Sequence, residues 1–225
     1  IIEQITKTNS VMNEKIPDFC GDFFLGNLKM HNKDIKQLEK DLIEQLKGPL
    51  IDTNIFLFGE INGKSSVELI ADLLTLAQEL EDNEIDKPYI TLYVNTEGGE
   101  IYEMYAIQDT IDHIKKRGII VQTVGIGQVM SAGLILLACG TKGQRYIGKR
   151  TRLMFHEVTN GVSGTFDHIK TEFSETEYLQ NQYIESIVAL TKKSTTFYKK
   201  LLQKKNNQYF TAEQAIEWGL ADRYL

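Results

Sequence analysis

An α/β fold with a mostly parallel sheet is predicted for this chain by the order of its hydrophobic patterns. Three short runs, residues 55–58, 89–94 and 119–124, are rich in β-branched and aromatic residues and read as strands. Each is followed by a segment that reads as a helix, from apolar spacing or from a continuous apolar run. Glycines punctuate the joins, at Gly59, Gly98-Gly99 and Gly118. Strand–helix alternation of this kind is the rhythm of βαβ units, whose crossovers require parallel strands with helices packed on them.

Taken in order, residues 1–33 are mixed and weakly periodic, with Pro17, Cys20 and the pair Phe23-Phe24, and read as an extension or docking loop. Residues 34–47 place Ile35, Leu38, Leu42 and Leu46 on one face, an amphipathic helix that Gly48-Pro49 ends. The strand 55–58 closes at Gly59 and at a turn over Asn62-Gly63. Ser65 followed by Glu68 is a capping-box pattern, opening a helix with Val67, Ile70, Leu73, Leu74, Ala77 and Leu80 at helical spacing. An acidic loop, 79–86, and Pro88 lead to the strand 89–94, and Asn95-Thr96-Glu97-Gly98-Gly99 turns into a helix over about 102–116. The strand 119–124 runs through Gly127-Gln128-Val129-Met130-Ser131-Ala132-Gly133 into the apolar run 134–139, a short buried helix. Short strands follow at 145–147 and 153–155, then the longest helix, from 165 to about 190, and another at 197–202. Thr211 with Gln214 caps a last helix that ends at Gly219, and 220–225 closes the chain. The expected organisation is an N-terminal extension over 1–48 and one domain over 49–225.

At 225 residues and 42% apolar content, the chain can bury a substantial core. A net charge of −6 argues against binding a phosphate backbone, so no nucleic-acid partner is expected. The lysine pairs 192–193, 199–200 and 204–205 stand among polar residues and read as solvated helix faces. Cys20 and Cys139 form neither a disulfide framework nor a metal-ligand spacing, and Cys139, inside an apolar run, reads as a small buried hydrophobe. A reducing compartment is expected, the cytoplasm or an organelle stroma or matrix, with no metal and no cofactor. No apolar run approaches the roughly 18 residues of a membrane span, so no membrane partner is expected. The first residue is Ile1 rather than Met, which leaves a removed targeting or pro-segment open.

Three features could carry chemistry. Ser131 sits where a strand meets a helix, either as a cap or as a nucleophile held at a helix N-terminus, mechanically like a nucleophile elbow although G-x-S-x-G is absent. His156 ends the strand 153–155, just before Glu157 and a glycine-containing loop, and is either structural or a base; His31, His113 and His168 read as surface residues. Gly98-Gly99 is either an ordinary tight turn or a place where a backbone N–H is aimed outward at an oxyanion. Ligands gather at the C-terminal ends of parallel strands, and Gly99, Ser131 and His156 all fall near such ends.

On these segments the chain resembles the Clp proteolytic subunits, ClpP, a family of self-compartmentalised serine peptidases, over roughly residues 50–225. Tyr93-Val94-Asn95-Thr96-Glu97-Gly98-Gly99 looks like the family's Asn-Ser-Pro-Gly-Gly segment. Gly127 to Gly133 is similar to its Gly-Gln-Ala-Ala-Ser-Met-Gly, and Leu153-Met154-Phe155-His156 to its Met-Ile-His. Phe58-Gly59-Glu60 and the segment from Thr211 to Leu220 match as well. The resemblance implies the ClpP/crotonase-like fold with a handle at about 160–192. It implies Ser131 as nucleophile, His156 as general base, and the backbone N–H groups of Gly99 and Ala132 as the oxyanion hole. It also implies heptameric rings stacked into a tetradecamer, polypeptide substrates cut inside a chamber, and an AAA+ unfoldase as feeder.

Three departures stand against the family pattern. Alignment through Ala212-Glu213 puts Asn207 where the family has the triad aspartate; an amide can orient the imidazole but cannot stabilise its positive charge, and an Asp→Asn change of this kind can cost about 10⁴ in rate. Asp167 and Glu172 are other acids that could substitute, but neither matches the motif. The family's Asp-Arg pair in the same stretch is missing, and residues 1–48 are largely unmatched. Two readings follow: an active peptidase, or a weakly active or inactive structural subunit in a mixed ring with an active paralogue. A third, an acyl-CoA enzyme of the related crotonase family, lacks support from the serine–histidine pairing.

Overall fold

Strands β1 (Asn54–Phe58), β2 (Tyr89–Thr96), β3 (Ile120–Met130), β4 (Arg145–Ile147) and β7 (Arg223–Tyr224) lie in that order in one parallel sheet of the computed structural model, which describes residues 51–225. The expected extension over 1–48, the helix at 34–47, Cys20 and His31 lie outside the described residues. Helices α1 (Gly63–Asp82), α2 (Ile101–Lys116) and α3 (Gly133–Ala138) follow the first three strands, as the alternation predicts. Then come β5 (Arg152–Phe155), α4 (Phe166–Leu190), α5 (Thr195–Leu202), β6 (Gln208–Thr211) and α6 (Ala212–Trp218). The fold is the α/β arrangement expected, and α4, the longest helix, falls within the stretch expected as the handle.

Burial follows the pleat. In β1, Ile55 and Leu57 are buried while Phe56 and Phe58 face out, the alternation of a strand covered on one side. In α2, Met104, Ile107, Ile111 and Ile114 recur at helical spacing and are fully buried. All of α3 is buried, as its continuous apolar run requires.

The start of α1 differs from expectation. The N-cap is Asn62, whose side chain accepts from Lys64 N–H and Ser65 N–H, while Ser65 Oγ accepts from Asn62 N–H. Ser65 is thus the return partner of the box, and Glu68 is not a member of it. Asn62 wins because its short amide reaches two free donors at once. With the helix beginning earlier, its buried face runs through Ser66, Leu69, Leu73, Leu76, Ala77 and Leu80, and Val67 and Leu74 are exposed.

The feature that positions the site is a change of partner along β3. Residues 123–125 pair with β4, whereas residues 128–130 pair with β5, in parallel. Gly127, between them, has φ +65°, and a Cβ there would stand 2.9 Å from Asn95 Oδ1; that same oxygen accepts the Gln128 N–H at 3.2 Å. The end of β3 is thereby turned toward β5, which pairs antiparallel with β6. Strand β6 escapes sequence reading because its four residues carry no apolar alternation; it exists through its ladder to β5.

Arg145 pins the far end of the sheet. Its guanidinium, nearly buried, makes a bidentate pair with Asp222 (3.0 and 2.7 Å) and donates to Ala138 O at the end of α3 and Leu190 O at the end of α4. A cation at two helix C-termini satisfies carbonyls that have no partner within the helix.

Candidate active site

The register of β3 on β5 sets Met130 beside Met154, so the residues that follow each strand come together. Ser131 N–H donates to Met154 O at 2.8 Å. Ser131 has φ +52°, a left-handed conformation that a non-glycine residue adopts only when its surroundings hold it there. The expected elbow is therefore present without the G-x-S-x-G pattern. His156, just beyond β5, places Nε2 2.7 Å from Ser131 Oγ.

The histidine is half-buried. Loss of hydration pulls its pKa below the ordinary imidazole value, and the neighbouring Glu157 carboxylate partly opposes this. The neutral ring, the form that can accept a proton from Ser131, is favoured. Phe155, fully buried before it, lies between Tyr183 (ring centroids 5.5 Å apart, stacked) and Tyr198 (5.3 Å, tilted), which fixes the strand end.

The turn between β2 and α2 forms the facing wall. Gly98 N–H donates to Thr96 Oγ1 at 3.0 Å, Ile61 N–H to Gly98 O at 2.8 Å, and Glu100 N–H to Ile61 O at 2.8 Å. A Cβ at Gly99 would fall 2.0 Å from Ile61 O, so the bridge between Ile61 and Gly99 admits only glycine. Among the described residues, no acceptor meets the N–H of Gly99 or that of Ala132. Both residues line, with Ser131 and His156, a cavity of about 400 Å³. Four carboxylates, Glu60, Glu97, Glu100 and Glu157, surround it.

Asn207 is exposed in the loop before β6 and shares with His156 a small adjoining cavity of about 120 Å³. No hydrogen bond joins the two, and among the described residues no side chain bonds His156 Nδ1. Asp167 and Glu172, on α4, line neither cavity. His113 and His168 are exposed, and Cys139 is buried, as read from the sequence. Sequence reasoning missed Tyr183, which sits in α4 and donates its hydroxyl to Ser131 O at 2.9 Å. Its helical spacing marks it as a core residue, and only its phenol distinguishes it from one.

The arrangement can support acyl transfer: a hydroxyl in contact with a neutral base, and two unengaged backbone donors in the same cavity. Comparison with known proteins gives the family. The family model described as Clp protease matches residues 34–225, beginning within the stretch read as the extension. The ATP-dependent Clp protease proteolytic subunit 2 of Thermobifida fusca is 33% identical over 171 residues, covering 76% of this chain and 79% of its own. The proteolytic subunit 1 of Leifsonia xyli subsp. xyli is 34% identical over 173 residues (77% and 83%), and that of Prochlorococcus marinus subsp. pastoris 32% over 171 residues (76% and 82%). With the family model spanning the serine, the histidine and both glycines of the turn, the chain belongs to the Clp protease family.

Proposed function

We propose that this chain is a serine endopeptidase subunit that cleaves unfolded polypeptides through an acyl-enzyme. The 2.7 Å contact between His156 Nε2 and Ser131 Oγ carries the reading. His156 takes the hydroxyl proton as Oγ attacks the scissile carbonyl. The oxyanion that forms accepts the N–H groups of Gly99 and Ala132. Collapse breaks the C–N bond, His156 gives the proton to the departing amine, and an ester remains on Ser131. Water, deprotonated by His156, then attacks the ester, the C–Oγ bond breaks to release the acid, and His156 returns the proton to Ser131 Oγ. Asn207, which lines a small cavity with His156 but does not bond it, stands at the third position without charge, so turnover is slower than with a carboxylate there.

The relatives are named as ATP-dependent proteolytic subunits, some as subunit 1 and some as subunit 2. By extension this chain works in stacked heptameric rings, alone or with a paralogue, fed by an AAA+ unfoldase in the cytoplasm or an organelle. Exposed Phe166 and Phe173 on the handle helix favour burial against another copy. A serine-reactive fluorophosphonate tests the core of the reading: the assembled protein labels at Ser131, and Ser131→Ala does not. Absence of labelling in a confirmed tetradecamer would favour the second reading, a weakly active or inactive structural subunit. That reading draws on Asn207 and on the unbonded Nδ1.

A further inference from the structure

Both candidate oxyanion donors belong to peptides whose carbonyl is held from behind. Ile61 N–H holds Gly98 O, the far end of the Gly98–Gly99 peptide, at 2.8 Å. Ser131 O, the far end of the Ser131–Ala132 peptide, accepts from Leu134 N–H at 3.0 Å and from Tyr183 Oη at 2.9 Å. A peptide group is planar and trans, so its C=O and N–H point in opposite directions from one rigid plate. Fixing the oxygen fixes the aim of the Ala132 N–H. The Leu134 bond lies within the same local turn and moves with it. Tyr183 reaches in from α4, 52 positions along the chain, and is an external fixed point. A donor on the carbonyl also polarises the amide and strengthens its N–H as a donor.

Tyr183 is suited to this. It is nearly fully buried, its ring is stacked on Phe155 at 11°, and burial pushes its phenol far above the ordinary value, so the hydroxyl stays protonated. We propose that Tyr183 is a positioning residue for the oxyanion hole: its hydroxyl sets the plane of the Ser131–Ala132 peptide and thereby the direction of the Ala132 N–H. The inference rests on the peptidase reading given above.

Tyr183→Phe tests it in the assembled full chain. The variant keeps the stacked ring and leaves Ser131 O with the Leu134 N–H, so no buried acceptor is orphaned. With a fluorogenic peptide, kcat falls about tenfold, less than the 10²–10³ that follows deletion of an oxyanion donor, while KM stays within about twofold. The acid limb of the pH profile does not move, because His156 is untouched. Affinity for a peptide aldehyde, whose adduct with Ser131 places an oxygen in the hole, falls by about the same factor as kcat. A crystal structure of the variant shows the Ser131–Ala132 plane rotated or split between two orientations. That last readout needs no turnover, so it decides the inference even if the parent protein neither hydrolyses peptides nor labels, a result that would sink the peptidase reading alone. An unchanged plane overturns the proposal, and so does unchanged kcat in an active enzyme, with or without a raised KM.

Discussion

A Cβ placed on Gly98 would stand 2.6 Å from the Cβ of Ser131. The turn after β2 and the elbow after β3 are thus in contact at a point where a side chain would separate them. Gly98 also has φ +103°, which disfavours any replacement. Gly98→Ala is expected to move Ser131 or the donor on Gly99, and a displacement of about 1 Å can cost 10² in rate. Peptide hydrolysis should fall at least about 100-fold in variant that still assembles. Near-normal kcat would show that the contact can relax without reaching Ser131.

The pH dependence follows from the burial of His156. Desolvation lowers its pKa from the ordinary imidazole value, against a smaller opposing pull from Glu157, and the base must be neutral to act. The acid limb of kcat/KM is therefore expected below about 6.5, the value of an unperturbed histidine. Glu157→Gln removes the opposing charge and should carry the limb lower still. A limb above the ordinary value would contradict this account of the site.

Asn207→Asp introduces a charge beside the small cavity that His156 and Asn207 share. If Asn207 holds the third position, the carboxylate stabilises the imidazolium formed on proton transfer, and kcat rises by about tenfold or more, part of the roughly 10⁴ that separates Asp from Asn in a serine triad. The same charge raises the pKa of His156, so the acid limb shifts upward as the rate increases. Unchanged rate and limb together would remove Asn207 from the mechanism.

Arg145 and Asp222 supply a stability prediction with a sign. Burial alone would raise the Asp222 carboxyl, but hydrogen bonds from Arg145, through side chain and backbone, and from Gly143 N–H hold it below the ordinary range. The unfolded chain binds the proton more readily, so this stabilisation is fully present above the unfolded value of about 3.9 and is lost as pH falls through the lower folded value. At neutral pH, Asp222→Asn leaves the nearly buried guanidinium without its counter-charge and is expected to cost about 3 kcal/mol in urea unfolding. A loss below about 1 kcal/mol would mean that the carbonyls of Ala138 and Leu190 suffice.

The four glutamates around the main cavity bias what it accepts. Peptides with Lys or Arg near the scissile bond should be cut faster than their Asp or Glu counterparts, and the difference should shrink as salt screens it. Equal rates at low ionic strength would exclude an electrostatic contribution from this rim.

The parallel sheet was legible in the sequence because strand and helix periods alternate cleanly from Ile55 to Ala138, the serine because it stands between a strand pattern and an apolar helical run, and the histidine because it ends a short strand. What the sequence could not show depends on tertiary neighbours. Asn62 takes the cap from Ser65 because the first turn of α1 presents two free donors, the N–H groups of Lys64 and Ser65, to its side-chain oxygen. Strand β6 forms on an existing edge of β5. Tyr183 looks like any core position of α4 until the helix is laid across the elbow. Asn207 could be located by alignment alone, and its distance from a bonded contact with His156 is a property of the loop.

The Ser131 N–H bond to Met154 O has a consequence for how this chemistry can be graded. Ser131 and His156 are stitched to the same ladder, while Asn207 hangs on an exposed loop outside it. Changes in that loop can turn the rate up or down in small steps without disturbing the pair.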